Sequence, residues 1–283
     1  MKIATILLNY NSAADCRKCI GYLQQQQGVE QEIIVVDNCS RSEERDAAKA
    51  ICDETGATFI ANNRNSGYNA GNNVGLRYAA EKGYRFALIA NPDMEFPQED
   101  YLAKMLTAIN TDENIVVCGS DIVGLDGRHQ SPMFRDGDWH GCWGWVTSLF
   151  KKKAAESDDF IENFATSHYC AKVSGCCLLV RLSFVESIGF FDEYPMLYCE
   201  EAILSRQVES AGKKMYYTTD AQAVHAHRKS EKGNPAMRFK QWRRSRLYFI
   251  KKYSGDTAFG RFMAGLSIIL YTTILTLAHY IKK

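Results

Sequence analysis

The chain has no Gly-x-Gly-x-x-Gly turn and no Walker-type Gly-rich loop. These are the phosphate cradles of the common dinucleotide and P-loop folds, so both readings lack their defining part. It has almost no net charge: 34 basic and 33 acidic side chains leave +1. No global positive field is therefore available to recruit nucleic acid. Ten cysteines in 283 residues are too sparse and too scattered for a disulfide scaffold, which predicts free thiols in a reducing compartment. Cys16 and Cys19 form a lone CxxC with no second pair at zinc-finger spacing, and they fall inside a predicted helix, which argues against metal or redox use. The first residues have neither the basic flank nor the small-residue cleavage site of a secretory signal, so secretion by that route is not expected.

What is present is 46% hydrophobic and 24% charged, suited to one large globular domain or a domain with an appendage. Apolar runs at 3–9, 32–36, 58–61, 86–90, 115–120, 172–181 and 214–218 read as strands. Helical patterns at 12–26, 43–54, 101–110 and 201–211 fall between or beside them, with Ser12 as N-cap of the first. Residues 65–75 read as a Gly/Asn-rich turn leading into a helix through Lys82. The stretch 121–130 reads as a polar connection, and a helix beginning at Phe184 is stopped by Gly189. Alternating strands and helices predict a mostly parallel, Rossmann-like sheet flanked by helices. Polar clusters follow three of the strands: Tyr10 with Asn11, Asp37 with Asn38, and Asn91 with Asp93. In a parallel sheet these ends share one edge, the edge at which ligands bind. Pro92 ends its strand, which leaves Asp93 just beyond it, where a carboxylate can hold a divalent cation. As an isolated tripeptide, Asn-Pro-Asp is also an ordinary turn.

The second half is less regular. Trp139, Trp143 and Trp145 crowd into residues 136–150, either as a sugar-stacking or membrane-interface patch or as a core layer. Lys151 and its neighbours to Asp159 are charged and expected at the surface. Glu200 and Glu201 stand at a predicted helix N-terminus, where the dipole favours acids; they are either site residues or solvated first-turn acids. His225, His227, Arg228 and Lys229 put two imidazoles and two cations together, a surface loop by itself but useful beside a diphosphate. Residues 238–252 carry seven Arg or Lys and no acid, the pattern of a helix lying on an anionic membrane surface. Residues 262–281 have no acid, Lys or Arg and are long enough to span a hydrocarbon core, with Lys282 and Lys283 at the end. Thr272, Thr276 and His279 share one helical face, so spanning and lying flat both remain open.

Five ordered pieces, with a closing His225-to-Ser230 element, give the chain a wider likeness over residues 3–230. They are Leu8-Asn9-Tyr10-Asn11, Val36-Asp37-Asn38-Cys39-Ser40, Asn65 through Asn73, Asn91-Pro92-Asp93, and Gly189-Phe190-Phe191-Asp192-Glu193 leading to Glu200-Glu201. In this order they resemble the second sequence family of GT-A glycosyltransferases, the inverting group that includes rhamnosyl- and galactofuranosyl-type enzymes. The resemblance implies a GT-A fold over 1–230 and a nucleotide-sugar donor. Tyr10, Asp37 and Asn69 would contact base and ribose, with Asn11, Asn38, Gly67, Asn73 and Asn91 completing the donor side and Gly175 lining the acceptor side. Asp93 would hold Mg²⁺ or Mn²⁺ with help from His225, and Asn91 takes the place of the first acid of the family's DxD. Glu201 stands where the family keeps its catalytic base. The family usually has Glu-Asp there, an acid at Ile203 and an arginine at Gln207, with Arg206 one place early, so Glu200 and Glu201 both remain candidates.

The implied function is inverting transfer of a hexosyl group to a lipid-linked glycan at the cytoplasmic face of a membrane, in surface polysaccharide assembly. Residues 231–283 would be a helical membrane-associating extension, and removing 261–283 should then raise solubility. Self-association is left open. The alternatives are a non-catalytic nucleotide-sugar- or polysaccharide-binding subunit, favoured by the Ile203 and Gln207 departures, and a nucleotidyltransferase, which lacks its Gly-rich phosphate loop here.

Overall fold

The computed structural model describes residues 2–136, 139–148, 161, 163–227 and 235–281. Ser230, the charged run 151–159, Arg228, Lys229, Lys282 and Lys283 lie outside the described residues. The first half of the chain builds β1 (Lys2–Asn9), α1 (Ala13–Gln24), β2 (Glu30–Asp37), α2 (Ser42–Thr55), β3 (Thr58–Ala61), α3 (Tyr68–Glu81) and β4 (Phe86–Ala90). After these come β5 (Met94–Glu95), α4 (Tyr101–Ile109), β6 (Ile115–Gly124), a 3₁₀ turn at Gly141–Trp143 and α5 (Gly144–Ser148). The second half contains β7 (His168–Cys170), β8 (Cys177–Arg181), α6 (Leu182–Ser187), α7 (Glu200–Ser210), β9 (Lys214–His225), α8 (Pro235–Tyr253) and α9 (Ala258–Ile281).

All the strands join one sheet in the order β3-β2-β1-β4-β8-β6-β9-β5, with β7 on β9. The first four strands are mutually parallel. β8 then inserts antiparallel between β4 and β6, and β6 runs parallel to β9. Successive side chains of a strand face opposite ways, and β1 shows the consequence. Ile3 and Leu7 pack with α1, α2 and α4 on one face. Ala4 and Ile6 pack with α3, α6 and α7 on the other. With both faces covered, the strands read as continuous apolar runs.

Several elements differ from the sequence reading. The Gly/Asn-rich stretch is mostly helix, because α3 begins at Tyr68. Its glycines serve packing: a Cβ on Gly71 would lie 2.4 Å from Leu8 and one on Gly75 2.6 Å from Ile6. A side chain at either position would have to push Leu8 or Ile6 aside. Ser12 is the N-cap of α1 by position only; its hydroxyl bonds Asn9 Oδ1 at 3.0 Å and caps no backbone N–H. β6 runs on to Gly124 and β9 to His225, because each pairs with the other through that stretch. Residues 172–176 form a loop ahead of β8.

The last two helices do not stand apart. Ile203, Phe249, Ile250, Ala264 and Ile268 form a buried cluster that joins α7, α8 and α9. Asp192 fastens α8 to the loop before α7: its Oδ2 accepts from Tyr248 Oη at 2.7 Å, Lys252 Nζ at 2.8 Å and Tyr253 Oη at 2.6 Å. Burial works against the Asp192 charge, but these donors hold its pKa down to about 2. The tryptophans lie beneath α9. Trp145 Nε1 donates to Ser267 Oγ at 2.8 Å, and the Trp139 ring meets Phe259 edge-on.

Candidate active site

The carboxyl edge of the sheet gathers the site. Asn9 pairs with Asp37 across the ends of β1 and β2. β4 ends one residue before Asn91, and His225 closes β9 opposite Met94 and Gly124. Two cavities open along this edge, of about 500 and 670 Å³. Tyr68, Asn91 and Leu197 line both, so they are two halves of one cleft.

Tyr10, Asn38, Gly67, Asn91 and Asp93 line the smaller half. Tyr10 is exposed and presents its ring. Asn38 is held from three sides, by Asn62, Asn65 and the Gly67 carbonyl. Gly67 has φ 107°, and a Cβ there would lie 2.7 Å from Met196 Cα, so only glycine lets the Met196–Leu197 turn close over this half. Asp37 does not reach the cleft. It is fully buried, and its carboxylate accepts from Asn9 Nδ2 at 2.8 Å and the Ser40 amide at 3.1 Å, shaping the turn behind Asn38. Asn11 likewise holds a turn, through Arg41 N at 2.9 Å. Asn69 and Asn73 face the opposite way. Asn69 bonds the Asp192 carbonyl; Asn73 bonds Phe191 N, Phe191 O and Glu193 Oε1. They staple the 189–193 loop to α3 and line neither half of the cleft.

Asp93 meets two imidazoles. Its Oδ1 lies 3.3 Å from His225 Nε2 and its Oδ2 3.2 Å from His227 Nδ1. One ligand atom from each of the three residues falls within 4.8 Å of the others. Burial raises the Asp93 pKa, but His225 and then His227 outweigh it and hold the carboxyl below its usual range. Burial lowers the His225 pKa, and Asp93 and Cys176 overcome that, pushing it up to about 10. His225 Nδ1 is 2.8 Å from Gln130 Oε1, while Nε2 is buried with no hydrogen bond. Such an imidazole carries a proton on Nε2; when a cation displaces that proton, an imidazole whose Nδ1–H is given to an oxygen offers Nε2 as a ligand. The orphaned Nε2 beside a carboxylate fits a divalent cation. His227 is the residue that sequence reasoning left out of the metal set; its His-x-His spacing was the available signal.

The larger half holds the carboxylates. Gly175, Glu200, Glu201, Asn91 and His225 line it. Tyr198 and Cys199 have φ of 75° and 68°, the left-handed region that costs a non-glycine residue on the order of 1–3 kcal/mol. This strained turn delivers Glu200 and Glu201 as the first residues of α7. Glu201 Oε1 lies 3.3 Å from the Gly175 amide, whose carbonyl accepts from Tyr68 Oη. Glu200 is buried with Oε1 unpartnered. Burial first, then the Glu201 charge, pushes its pKa up to about 8. Asp93 and the Glu pair therefore border adjoining halves of one cleft, linked by Asn91 and His225.

Of the outer wall of this half, only Trp145 was singled out by the sequence, as one of three crowded tryptophans. Trp145, Trp242, Tyr271 and Ile268 line it, beside a buried ionic cluster in which Lys172 and Arg246 both pair with Asp136. Nothing in local sequence links residues 136, 172 and 246. Ile203, where the family resemblance leads one to expect an acid, is fully buried against α8 and α9, a place unfit for an unpaired charge.

Residues 5–186 match the sequence model of glycosyl transferase family 2. The chain belongs to that family. It is 28% identical over 202 residues to the low-salt glycan biosynthesis hexosyltransferase Agl10 of Haloferax volcanii, covering 70% of this chain and 59% of Agl10. It is 32% identical over 127 residues to the succinoglycan biosynthesis protein ExoO of Rhizobium meliloti, covering 44% of this chain and 35% of ExoO. The chain thus spans less than two thirds of either relative. Among solved structures, the mannosyltransferase PcManGT of Pyrobaculum calidifontis in complex with GDP-Man and Mn²⁺ has a TM-score of 0.60 at 17% identity, covering 95% of this chain and 69% of that one. The likeness is one of fold: this family 2 chain has the GT-A architecture, a mixed sheet flanked by helices, with a C-terminal apolar helix.

Proposed function

We propose that this family 2 chain is an inverting hexosyltransferase that moves a sugar from a nucleotide-sugar donor to a saccharide acceptor. The observation that carries the proposal is the single cleft bordered by the Asp93–His225–His227 cluster in one half and Glu201 in the other. The nucleotide lies in the smaller half against Tyr10 and Asn38. Asp93, His225 and His227 would hold Mg²⁺ or Mn²⁺, which neutralises charge on the departing diphosphate.

Glu201 is the base. Glu200 is buried with an oxygen that has no partner, where burial favours its protonated form, while Glu201 lies at the cavity against the Gly175 amide. Glu201 accepts the proton of the acceptor hydroxyl, which is general-base chemistry. The acceptor oxygen bonds the anomeric carbon as the sugar–phosphate bond breaks, and nucleoside diphosphate leaves with inversion. The Gly175 amide at 3.3 Å keeps the carboxylate turned toward the cavity. The aromatic wall of Trp145, Trp242 and Tyr271 suits the apolar face of a sugar ring.

The exposed face of α9 carries Phe259, Phe262, Ile269, Ile274, Leu277 and Tyr280, and α8 carries cations beside it. Together they suit contact with an anionic membrane, in keeping with a lipid-linked acceptor and a role in surface glycan assembly at the cytoplasmic face. The opposite face of α9 packs on the protein from Gly260 to Thr272, which favours lying flat. The deciding experiment measures nucleoside diphosphate release over a panel of donors with Mn²⁺, for wild type and Glu201→Gln. Release with one donor, lost in the variant, supports the reading. No release with any donor, or full activity in the variant, overturns it.

A further inference from the structure

Between the first half of α8 and the second half of α9 lies a groove of about 370 Å³. Lys240 and Arg243 reach it from α8, and Thr273, Thr276, Leu277 and Tyr280 from α9. No carboxylate lines it among the described residues, and neither cation has an ionic or hydrogen-bond partner among them. Thr273 and Thr276 give their hydroxyl protons to carbonyls of their own helix at 2.7 Å. The donors left for an anion are therefore Lys240 and Arg243. Two cations in a carboxylate-free groove match a phosphate.

The place of the groove narrows the occupant. Trp242 and Tyr271 wall the acceptor half of the cleft; Arg243 and Thr272, the next residue on each helix, wall the groove. Consecutive helical residues point about 100° apart, so groove and cleft open at one level on neighbouring sides of the α8–α9 pair. From Tyr271 to Tyr280 the pair runs about 14 Å along α9 at 1.5 Å per residue. Beyond it, Ile274, Leu277 and Ile281 are exposed, an apolar path for a hydrocarbon tail but of no use to a free ion.

We propose that the α8–α9 groove binds the phosphate that joins the acceptor saccharide to its lipid tail, with Lys240 and Arg243 as counter-ions. The saccharide then extends from the groove toward Glu201. The inference rests on the transferase reading for the saccharide, but binding of the lipid phosphate is measured without turnover.

The test partitions the full chain onto vesicles of phosphatidylcholine doped with either an isoprenyl phosphate or phosphatidylglycerol at equal total charge. The readout is the ratio of the two partition coefficients. The general attraction of cations to anionic lipid is the same in both vesicles, so groove binding by two charge-assisted contacts predicts a wild-type ratio of about tenfold or more. In Lys240→Ala/Arg243→Ala the ratio falls to about one. In Arg244→Ala/Lys251→Ala, the same charge loss on α8 outside the groove, both coefficients fall and the ratio stays. Excess inorganic phosphate leaves the wild-type ratio unchanged. A wild-type ratio of one, equal losses of ratio in the two double variants, or collapse of the ratio under inorganic phosphate each overturns the proposal. Release of nucleoside diphosphate to water, measured in parallel without vesicles, tests the transferase reading separately: its absence in wild type defeats that reading, while the partition ratio still decides the groove.

Discussion

Glu200 and Glu201 are neighbours in sequence with opposite surroundings. One is buried with an unpartnered oxygen; the other lies against a backbone amide at the cavity. Glu201→Gln should lower transfer by roughly 10²–10⁴ and leave donor affinity intact, checked by single-turnover assay and calorimetry. Asp93→Asn should weaken donor binding by roughly tenfold or more with Mn²⁺ present; calorimetry should show no such loss in chelator. Glu200 gives a pH signature. Its folded pKa is raised, so the folded chain binds more protons than the unfolded one from the ordinary glutamate range up to about 8. The stability tied to this group is full below that window and is lost as pH rises through it. Glu200→Gln, neutral throughout, should gain melting temperature relative to wild type at pH 9 compared with pH 5, measured by scanning fluorimetry. The sequence named both acids, but chemically equal neighbours can be told apart only by burial.

At the level of elements, α3 joins the sheet to the loop ahead of α7. Gly75→Ala would place a Cβ 2.6 Å from Ile6, overpacking that should cost about 1–3 kcal/mol. Asn73→Ala removes the partners of Phe191 N and O inside the protein, at a cost of about 1–3 kcal/mol. Urea unfolding with an unchanged slope checks both. Read along the chain, residues 65–75 have the composition of a turn. Gly and Asn have low helix propensity, but close packing on Leu8 and Ile6 overrides it. Asn69 and Asn73 illustrate the same limit: their place in the motif is legible, and their service as staples for residues 189–193 is not. β3 and β4 were legible to the residue, because short apolar strands with turn signals at both ends leave no competing period.

Across the whole molecule, the C-terminal helices serve two purposes. Taken as an appendage, residues 261–283 should be removable with a gain in solubility. The packing of α9 on the protein predicts the opposite. Loss of α9 strips cover from Phe249 and Ile250 and takes from Trp139 its contact with Phe259 and from Trp145 those with Ser267 and Tyr271. A chain ending at residue 257 should show a smaller soluble fraction and stronger dye binding to exposed apolar surface. Its cleft would also lose the Ile268 and Tyr271 wall.

By itself the sequence determined the alternation of strands and helices, the polar clusters at the ends of β1, β2 and β4, and the acids and imidazoles available for chemistry. Those features are local: hydrophobic period, proline and glycine punctuation, and motif spacing are written in neighbouring residues. Only the tertiary structure decided that β8 would enter the sheet antiparallel, that Asp37 would turn inward while His227 joins Asp93, and that α8 and α9 would wall the larger half of the cleft. Those outcomes depend on which distant side chains share a buried volume, and that is settled by packing across the sheet and between helices.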